Sequence, residues 1–308
     1  MRIFVTGGTG FFGKSILARR VAAPGRTSSD RYTILSRDPD RFRRDNPRFA
    51  DLPGVDWVKG DVRDFAFPDG PFDAIVHAAT SAVTTLSDAE QTSVILDGAR
   101  HVAAFARACG CSRILFTSSG AVYGPQTAPV AEDAPCRPAT AYGKGKLAAE
   151  QMLLDAGLDV RIARCFAFTG PHLNRDIHYA IGNFIRDALV GRPIVVQGDG
   201  TPHRSYLFAD DLVDWLFAIL EKGGTGRPYN VGSDQAVSIR ELAGTVARVL
   251  RPAPSEIPHL QVPRSLVKVE GRPTGAPPSV YVPVVDRAKR ELGLSVTVPL
   301  EEAIRKSV

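Results

Sequence analysis

The feature that most constrains the fold of this chain is a glycine-rich turn close to its start. An apolar run, Arg2–Thr6, leads directly into TGGTGFFG at residues 6–13, and a helical pattern follows. Glycine tolerates positive φ and lets the backbone approach a pyrophosphate, while the N-terminus of the next helix offers free N–H groups to that anion. A glycine triplet at a strand-to-helix junction therefore predicts dinucleotide binding. The residues expected to bind the dinucleotide are Gly7, Gly10, Phe11, Phe12 and Gly13.

Short apolar runs alternate with helical stretches over the first two-thirds of the chain. The predicted strands are Arg2–Thr6, Tyr32–Ser36, Asp56–Lys59, Ala74–His77, Arg113–Thr117 and Val160–Cys165. Helices are predicted between them, for example at Phe11–Ala22 and Ala89–Cys109. This alternation predicts an α/β fold with a Rossmann-like, doubly wound parallel sheet, which binds ligands at the carboxyl ends of its strands.

The pattern becomes weaker after Gly170, and the last part of the chain is rich in proline. We therefore expect residues 1–170 to form the dinucleotide-binding domain, with residues 205–245 returning to it. Residues 171–204 and 246–308 are expected to form a smaller, loop-rich C-terminal lobe that binds the substrate.

The residues after the second predicted strand bear on the choice of cofactor. NAD-binding sites usually place an acidic residue there to hold the ribose 2′-hydroxyl, whereas this chain has Ser36 followed by Arg37. A guanidinium pairs with a 2′-phosphate, so the sequence predicts NADP as the cofactor, with NAD as the less favoured alternative. In the other interpretation, Arg37 belongs only to a solvated basic loop.

Two further strand ends are candidate cofactor contacts. Asp61 and Val62 follow the third strand, where the carboxylate has the position to accept a hydrogen bond from the adenine amino group, or simply to stabilise a turn. Ala78 and Ala79 follow the fourth strand, where their small size leaves room for a cofactor. His77, just before them, is interpreted as a packed histidine at the strand end.

A serine, a tyrosine and a lysine carry the predicted chemistry. Ser119 follows the fifth strand, and a helix is predicted to open at Tyr142 and to continue through Lys146. Tyr142 and Lys146 are four residues apart and so share one face of that helix. A free phenol has a pKa near ~10, and a nearby ammonium or cationic nicotinamide favours its ionised form. Tyr142 can then exchange a proton with a substrate hydroxyl that Ser119 orients, and Lys146 can also hold the nicotinamide ribose.

Composition and cysteine spacing exclude several other classes of protein. The net charge of +5 is too small to indicate nucleic acid, and no nucleic-acid-binding module is present. The four cysteines form no CxxC pair and no metal-type spacing with histidine, which indicates reduced thiols and no metal site. No apolar run reaches the ~20 residues of a membrane span, and no signal peptide is apparent. We therefore expect a cytoplasmic protein with no membrane partner.

Taken together, these motifs resemble the extended short-chain dehydrogenase/reductase family, in its group of nucleotide-sugar epimerases, dehydratases and 4-keto reductases. The resemblance implies that Gly7, Gly10, Gly13, Asp61 and Val62 bind the cofactor and that Ser119, Tyr142 and Lys146 are catalytic. It also implies a nucleotide-diphosphate sugar as substrate and a homodimer formed through two helices.

Later segments extend the resemblance. QGDGTPHRSYLFADD at residues 197–211 is similar to a family segment whose arginine, Arg204 here, binds the substrate diphosphate. Arg272 resembles a second such arginine, although an arginine there is equally consistent with a surface residue. Tyr229–Gly232, read YNVG, is similar to a segment near the nucleotide base.

Three departures from the family pattern bear on the reaction. Gly120 and Ala121 stand where dehydratases often carry acidic residues, so neither can protonate a leaving hydroxyl. Ala167 and Ile95 each replace a usual asparagine, which leaves the identity of the sugar open.

The sequence leaves three functions open. The first is a 4-keto-sugar reductase that consumes NADPH, which Arg37 and the absence of an acidic pair favour slightly. The second is a 4-epimerase that retains its cofactor. The third is a catalytically silent NADP-binding module, since a fold does not fix a function.

Overall fold

The structure, a computed structural model, describes residues 1–21, 29–80, 86–177, 179–250, 267–272 and 275–308. In chain order, its strands are β1 Arg2–Thr6, β2 Arg31–Ser36, β3 Val55–Lys59, β4 Ala74–His77, β5 Arg113–Ser119, β6 Asp159–Cys165, β7 Phe168–Thr169, β8 Ile194–Val196, β9 His203–Arg204, β10 Leu207–Phe208, β11 Pro228–Val231, β12 Val237–Ser238, β13 Val267–Val269 and β14 Val280–Tyr281. Its α-helices are α1 Phe11–Ile16, α2 Pro39–Asp45, α3 Asp88–Ala108, α4 Ala141–Asp155, α5 Ala180–Leu189, α6 Ala209–Lys222, α7 Ile239–Leu250, α8 Asp286–Leu292 and α9 Leu300–Lys306.

Seven of these strands form one parallel sheet in the order β11-β6-β5-β4-β1-β2-β3. The chain runs outward from β1 to β3 and then crosses back to place β4 on the other side of β1. The predicted doubly wound, Rossmann-like sheet is therefore confirmed. In such sheets ligands bind at the carboxyl ends of the strands, in the crevice where the strand order reverses. The glycine turn after β1 and the residues after β4 both lie at that end.

All six predicted strands are present: Arg2–Thr6 and Ala74–His77 match their predicted bounds, and the other four differ by one or two residues at one end. The seventh strand, β11, extends the sheet beyond β6 and was not predicted. The helix predicted at Phe11–Ala22 begins as α1 and continues through a π-helical turn at Leu17–Val21, and Ala22 lies outside the described residues. The helix predicted at Ala89–Cys109 is α3, shifted by one residue.

The central strand β1 is buried on both faces because its apolar residues are nearly continuous. Since successive side chains point to opposite faces of a sheet, Ile3 and Val5 join one apolar cluster and Phe4 joins the other. The first cluster includes residues of α1, α6 and α8. The second includes residues of α3 and α4, so these two helices cover the other face of the sheet. Tyr142 and Lys146 belong to α4.

A third apolar cluster lies outside the sheet and unites α5, α7, β8 and α9. Its buried members include Ile181, Phe184, Ile185, Val196, Leu242, Val246 and Ile304. Helix α7 spans the expected domain boundary at residues 245–246 and packs against α5. Several of the prolines that suggested a loop-rich lobe (Pro252, Pro254, Pro258, Pro263 and Pro273) lie outside the described residues, so the division into lobes stays a prediction. Within the described ranges, no helix combines the length and apolar character required to cross a membrane.

Candidate active site

The glycine turn after β1 contains two kinds of glycine. Gly7 has a φ of +73°, and a Cβ there would lie 2.5 Å from the Ala78 carbonyl oxygen. A Cβ on Gly13 would lie 2.2 Å from Gly8, so packing within the protein already requires glycine at both positions. Gly10 is different, because it is exposed and a Cβ would meet nothing closer than a carbonyl oxygen at 3.4 Å. The protein itself leaves the space above Gly10 open, as a closely approaching pyrophosphate requires.

Hydrogen bonds join the end of β4 to the end of β1, beside this turn. The Thr6 hydroxyl lies 2.8 Å from Nδ1 of His77, and the Ala79 N–H donates to the Thr6 hydroxyl. Burial lowers the pKa of His77 to about 3, with a smaller contribution from Lys146, so the ring is neutral. His77 is therefore a packed strand-end residue, as interpreted from the sequence. Ala78 and Ala79 follow it and are partly exposed.

One buried polar atom in this region has no protein partner. The hydroxyl oxygen of Thr80 is buried, and no hydrogen bond to it is found in the part of the chain that the structure describes. Buried hydroxyls are normally hydrogen-bonded, so this group suits a polar atom of a ligand. Together with the open space above Gly10, it shows that the residues present fit a bound dinucleotide.

Three arginine and aspartate side chains meet where the adenosine is expected. Ser36 is buried at the end of β2, and its hydroxyl accepts the Asp38 N–H. Arg37 is exposed. The Asp61 carboxylate forms two hydrogen bonds with the Arg63 guanidinium, which is the main reason that its pKa is lowered, and Arg37 adds a smaller attraction. Arg37 therefore already faces an anionic side chain of the protein. The sequence analysis missed Arg63, although it lies only two residues after Asp61.

Val62, the other residue predicted at this strand end, is buried. Its side chain belongs to the apolar cluster of α3 and α4, and a Cβ on Gly98 would lie 3.1 Å from it. The side chain thus packs in the core, and the backbone is what Val62 offers to a ligand.

The serine, tyrosine and lysine predicted from the sequence lie together at the carboxyl end of β5. Ser119 ends β5, and its hydroxyl accepts the Ala121 N–H at 3.1 Å. Tyr142 lies in the first turn of α4, which Thr140 caps by accepting the Gly143 N–H. Lys146 is buried one turn later, where Nζ donates to the Thr117 carbonyl oxygen at 2.9 Å and lies 5.8 Å from the centre of the Tyr142 ring. These contacts hold the three side chains beside the glycine turn.

The protein environment acts against ionisation of both Tyr142 and Lys146. Burial raises the pKa of Tyr142, the neighbouring Tyr281 phenol raises it further, and a hydrogen bond with Ser119 offsets only part of the rise. Burial also lowers the pKa of Lys146 to about 8. We expected the ammonium to favour the phenolate, but burial outweighs that effect in the protein alone. Tyr142 therefore stays protonated at neutral pH until a further positive charge enters the site.

Tyr281 is a site residue that the sequence analysis missed. Its hydroxyl lies 3.3 Å from the Ser119 hydroxyl and donates to the Cys165 carbonyl oxygen at 3.4 Å. Its ring packs on Phe166, with centroids 4.8 Å apart, and the Arg204 guanidinium lies 5.7 Å from its centre. Tyr281 reaches the site because β14 pairs with β9, a long-range contact that no local sequence pattern reveals.

The structure separates the two arginines predicted to bind a diphosphate. Arg204 is half-buried on β9, and its guanidinium donates to the His203 carbonyl oxygen and faces Tyr281. Arg272 is exposed in a loop after β13, and Pro273 and Thr274 lie outside the described residues. Arg204 is therefore placed beside Tyr281, which contacts Ser119, whereas a role for Arg272 stays a prediction.

The YNVG segment does not present its asparagine to a ligand. Asn230 is fully buried on β11, where its amide donates to the carbonyl oxygens of Val130 and Val284 and accepts from the Tyr123 hydroxyl. Every polar atom of the Asn230 side chain is therefore used within the protein, and the resemblance of this segment to one near the nucleotide base stays a prediction.

Comparison with known proteins identifies the family. A model of the NAD dependent epimerase/dehydratase family matches residues 3–232, which include the glycine turn, all three catalytic candidates and Arg204. The chain belongs to this family.

Relatives of known activity cover nearly the whole chain. It is 31% identical to UDP-glucuronic acid decarboxylase 6 of Arabidopsis thaliana, over 99% of this chain and 87% of that protein. It is 30% identical to the UDP-glucose 4-epimerase of Azospirillum brasilense, over 95% of this chain and 86% of that protein.

Solved structures of the epimerase/dehydratase fold match along the full length. The UDP-glucuronic acid 4-epimerase of Bacillus cereus, in complex with UDP-glucuronic acid and NAD, superposes with a TM-score of 0.82 at 19% identity, over 100% of this chain and 98% of that one. The dTDP-glucose 4,6-dehydratase of Bacillus anthracis, in complex with NAD, gives a TM-score of 0.81 at 18% identity, over 100% and 95%. The fold is therefore that of this family. Among the described residues, no cluster of three or more potential metal ligands was found.

Proposed function

We propose that this chain is an NAD-dependent 4-epimerase of a nucleotide-diphosphate sugar. The observation that carries the proposal is the convergence of Ser119, Tyr142 and Lys146 at the carboxyl end of β5, next to a glycine turn that leaves room for a dinucleotide. A phenol hydrogen-bonded to a serine suits proton exchange with a sugar hydroxyl. The relatives named above act on nucleotide sugars, which supports that class of substrate.

The cofactor choice differs from the one that Ser36 and Arg37 predict. The family is described as NAD dependent, and two structural relatives are complexes with NAD, so the comparisons give NADP no support. The Asp61 carboxylate at the end of β3 is bound by Arg63 and is attracted only weakly by Arg37, so Arg37 itself stays available to the solvent. Gly7, Gly10, Gly13, Asp61 and Ala79 would hold NAD, and the Thr80 hydroxyl, which has no hydrogen-bond partner among the described residues, offers a further contact. Bound NAD⁺ supplies a hydride acceptor for C4 and a positive charge.

The protein side chains then divide the remaining work. Tyr142, ionised under the influence of that charge, takes the proton of the C4 hydroxyl. Ser119 donates a hydrogen bond to the same oxygen, and Lys146 supplies a buried ammonium one helical turn away. Arg204 pairs with the diphosphate, a charge-assisted contact that keeps the nucleotide fixed while the keto sugar turns over. Tyr142 then gives the proton back to the same oxygen, and the bound cofactor would supply the hydride to the opposite face of the sugar, which yields the C4 epimer.

The surroundings of Gly120 argue against dehydration. A Cβ on Gly120 would lie 2.7 Å from the buried ring of Phe166, so no acidic side chain fits there unless that ring moves. Ala121 next to it has only a methyl group. Neither position supplies a proton to a leaving hydroxyl.

A 4-keto-sugar reductase is the second candidate, and the exposed Arg37 favours it because NADPH is a free reductant. Decarboxylation is a third outcome, suggested by the 31% identical relative. Product analysis separates all three. Purified protein is incubated with NAD⁺ and UDP-glucose, UDP-N-acetylglucosamine, UDP-glucuronic acid or dTDP-glucose, and in parallel with NADPH and a 4-keto-6-deoxy sugar nucleotide.

We expect a product of unchanged mass with inverted C4 and no net consumption of cofactor. A product two hydrogens heavier, formed with stoichiometric loss of NADPH, would replace this proposal with the reductase. Release of carbon dioxide from UDP-glucuronic acid would replace it with the decarboxylase, and loss of water with a dehydratase. Absence of any conversion, with cofactor still bound, would indicate a catalytically silent module.

A further inference from the structure

A buried ion pair lies directly behind the catalytic side chains. The Arg164 guanidinium donates from Nη2 and Nε to the Glu150 carboxylate, at 2.8 and 3.1 Å. Both side chains are almost completely buried, Glu150 at 4% and Arg164 at 6% exposure. The Ser118 hydroxyl also donates to Glu150, and Arg164 donates from Nη1 to the Tyr123 hydroxyl at 3.1 Å. The remaining hydrogen-bonding atoms of the pair are thus used within the protein.

The position of the pair links the two segments that carry the site. Glu150 is on α4, one turn after Lys146, and Arg164 is on β6, in register with Ser118 of β5. Ser118 lies between Thr117 and Ser119 in the chain. The Thr117 carbonyl oxygen accepts the hydrogen bond from Nζ of Lys146. The pair therefore ties the helix of Tyr142 and Lys146 to the strand end of Ser119.

Stability alone is a weak reason for such a pair. Desolvation of two charges offsets most of their attraction, and a buried ion pair can often be replaced by apolar residues of similar volume without loss of stability. Its location one turn from Lys146 suggests an electrostatic role instead.

The groups packed around Lys146 indicate that Glu150 has this electrostatic role. His77 on β4 is neutral because burial lowers its pKa to about 3, and Cys165 on β6 is neutral because burial raises the pKa of its thiol to about 12. Tyr142 on α4 is protonated, and on β5 Lys146 meets only a carbonyl oxygen and the Phe116 ring. Cys165 and Glu150 are the two groups whose charge would oppose the effect of burial on the pKa of Lys146, and because the Cys165 thiol is neutral, the Glu150 carboxylate that Arg164 binds is left.

We propose that Glu150 and Arg164 form a positioning pair that sets the ionisation of Lys146 and thereby of the Tyr142–Lys146 couple. This inference rests on the proposed function only where turnover is measured. With both groups protonated, the couple has no atom that accepts a proton. As pH rises through about 8, the value to which burial lowers the pKa of Lys146, the couple loses one proton. Beside NAD⁺ the proton that remains lies on Lys146, so the Tyr142 phenolate then accepts the sugar proton. The wild-type kcat/KM should therefore rise with pH through about 8.

Substitution of the two partners should shift the rising limb of the pH profile of kcat/KM in opposite directions. Glu150→Gln removes the anion, so the limb should move down by roughly one pH unit. Arg164→Met leaves the carboxylate uncompensated, so the limb should move up by a similar amount. A purely structural role would lower kcat in both variants without opposite shifts. Glu291→Gln is the matched control, because Glu291 accepts similar bonds from Arg227 and Tyr229 away from the site and should leave the limb in place.

The same question is answered without turnover by NMR titration of Lys146 in cofactor-free protein labelled with [ε-¹³C]lysine, with Lys146→Met used for assignment. Opposite shifts of the Lys146 titration in Glu150→Gln and Arg164→Met support the inference. Shifts of the same sign, or none, overturn it. If wild-type protein converts no nucleotide sugar, the proposed function fails while the titration still decides this inference. If Glu150→Gln or Arg164→Met does not fold, Glu150→Asp, which withdraws the charge by one methylene, should show a smaller downward shift, and an unchanged titration would contradict the inference.

Discussion

The Tyr142 hydroxyl is the atom on which the proposed proton exchange depends. Tyr142→Phe removes this oxygen and keeps the ring, so we expect kcat to fall by about 10²–10⁴-fold, as is typical for loss of a general acid or base. The Kd for NAD should change little, because the glycine turn is intact. Steady-state kinetics and a fluorescence titration measure the two quantities.

Tyr229→Phe is the control for this variant, since it removes another buried phenol that contacts Glu291 far from the site. Its kcat should stay close to the wild-type value. Retention of more than a tenth of the wild-type kcat in Tyr142→Phe would show that another group exchanges the proton.

Substitution of the single side chain Arg37 tests whether the protein binds NAD or NADP. If NAD is the cofactor, NADH binds at least as tightly as NADPH, and Arg37→Ala changes the Kd of NADH by less than about threefold, because an exposed ion pair contributes little. Titration of wild type and variant with both reduced cofactors measures this. A wild-type preference for NADPH that disappears in Arg37→Ala would restore the cofactor predicted from the sequence.

The sequence predicted which residues meet in the site where those residues follow a strand end or share one helix face, as Ser119, Tyr142 and Lys146 do. Tyr281 was not, because it reaches Ser119 from a two-residue strand near the other end of the chain. Neither was the rise in the pKa of Tyr142, because its main cause is burial, which depends on the packing of the whole site and not on the spacing to Lys146.

At the scale of an element, the strand–turn–helix unit around β1 and α1 offers a matched pair of substitutions. Gly10→Ala meets no close protein atom, so the variant should fold with nearly the wild-type Tm, but its methyl group occupies the open space above the turn. We expect cofactor binding to weaken by at least tenfold. Calorimetry with NAD beside a thermal melt tests both statements.

Gly7→Ala is the counterpart, because alanine is strained at a φ of +73° and its methyl group would overlap the Ala78 carbonyl. Its Tm should fall before any cofactor is added. Unchanged NAD affinity in Gly10→Ala would show that the dinucleotide does not approach this turn closely.

The elements that were predicted correctly have strong local patterns. The six predicted strands are apolar runs bounded by turns or helices, and α3 shows the apolar spacing of a helix with a Ser87 capping box. β11 was missed because it has only four residues, Pro228–Val231, begins with proline, and is stabilised by pairing with β6 far away in sequence. The structural role of Asn230 was not predictable for the same reason, since its partners come from separate segments of the chain.

For the whole molecule, the doubly wound sheet places the glycine turn and the Ser119, Tyr142 and Lys146 side chains at one end, and β14 brings Tyr281 and Arg204 of β9 to the same site. The expected homodimer stays a prediction. Helices α3 and α4 pack side by side within the chain, and the first turns of α3 carry a solvent-facing surface of mixed polarity that includes Asp88, Thr92, Leu96 and Arg100. Light scattering should give twice the chain mass if this face joins two copies, and the single-chain mass would contradict that expectation.

The central claim, that a hydride leaves and returns to C4, is tested most directly by isotope tracing. The nucleotide sugar that the protein converts is prepared with deuterium at C4 and incubated with the NAD-loaded protein, and the product is analysed by NMR. The account predicts inverted C4 with the deuterium retained on the same carbon, and no such conversion in Tyr142→Phe. Exchange of the label for solvent hydrogen, or inversion that proceeds equally in Tyr142→Phe, would contradict it.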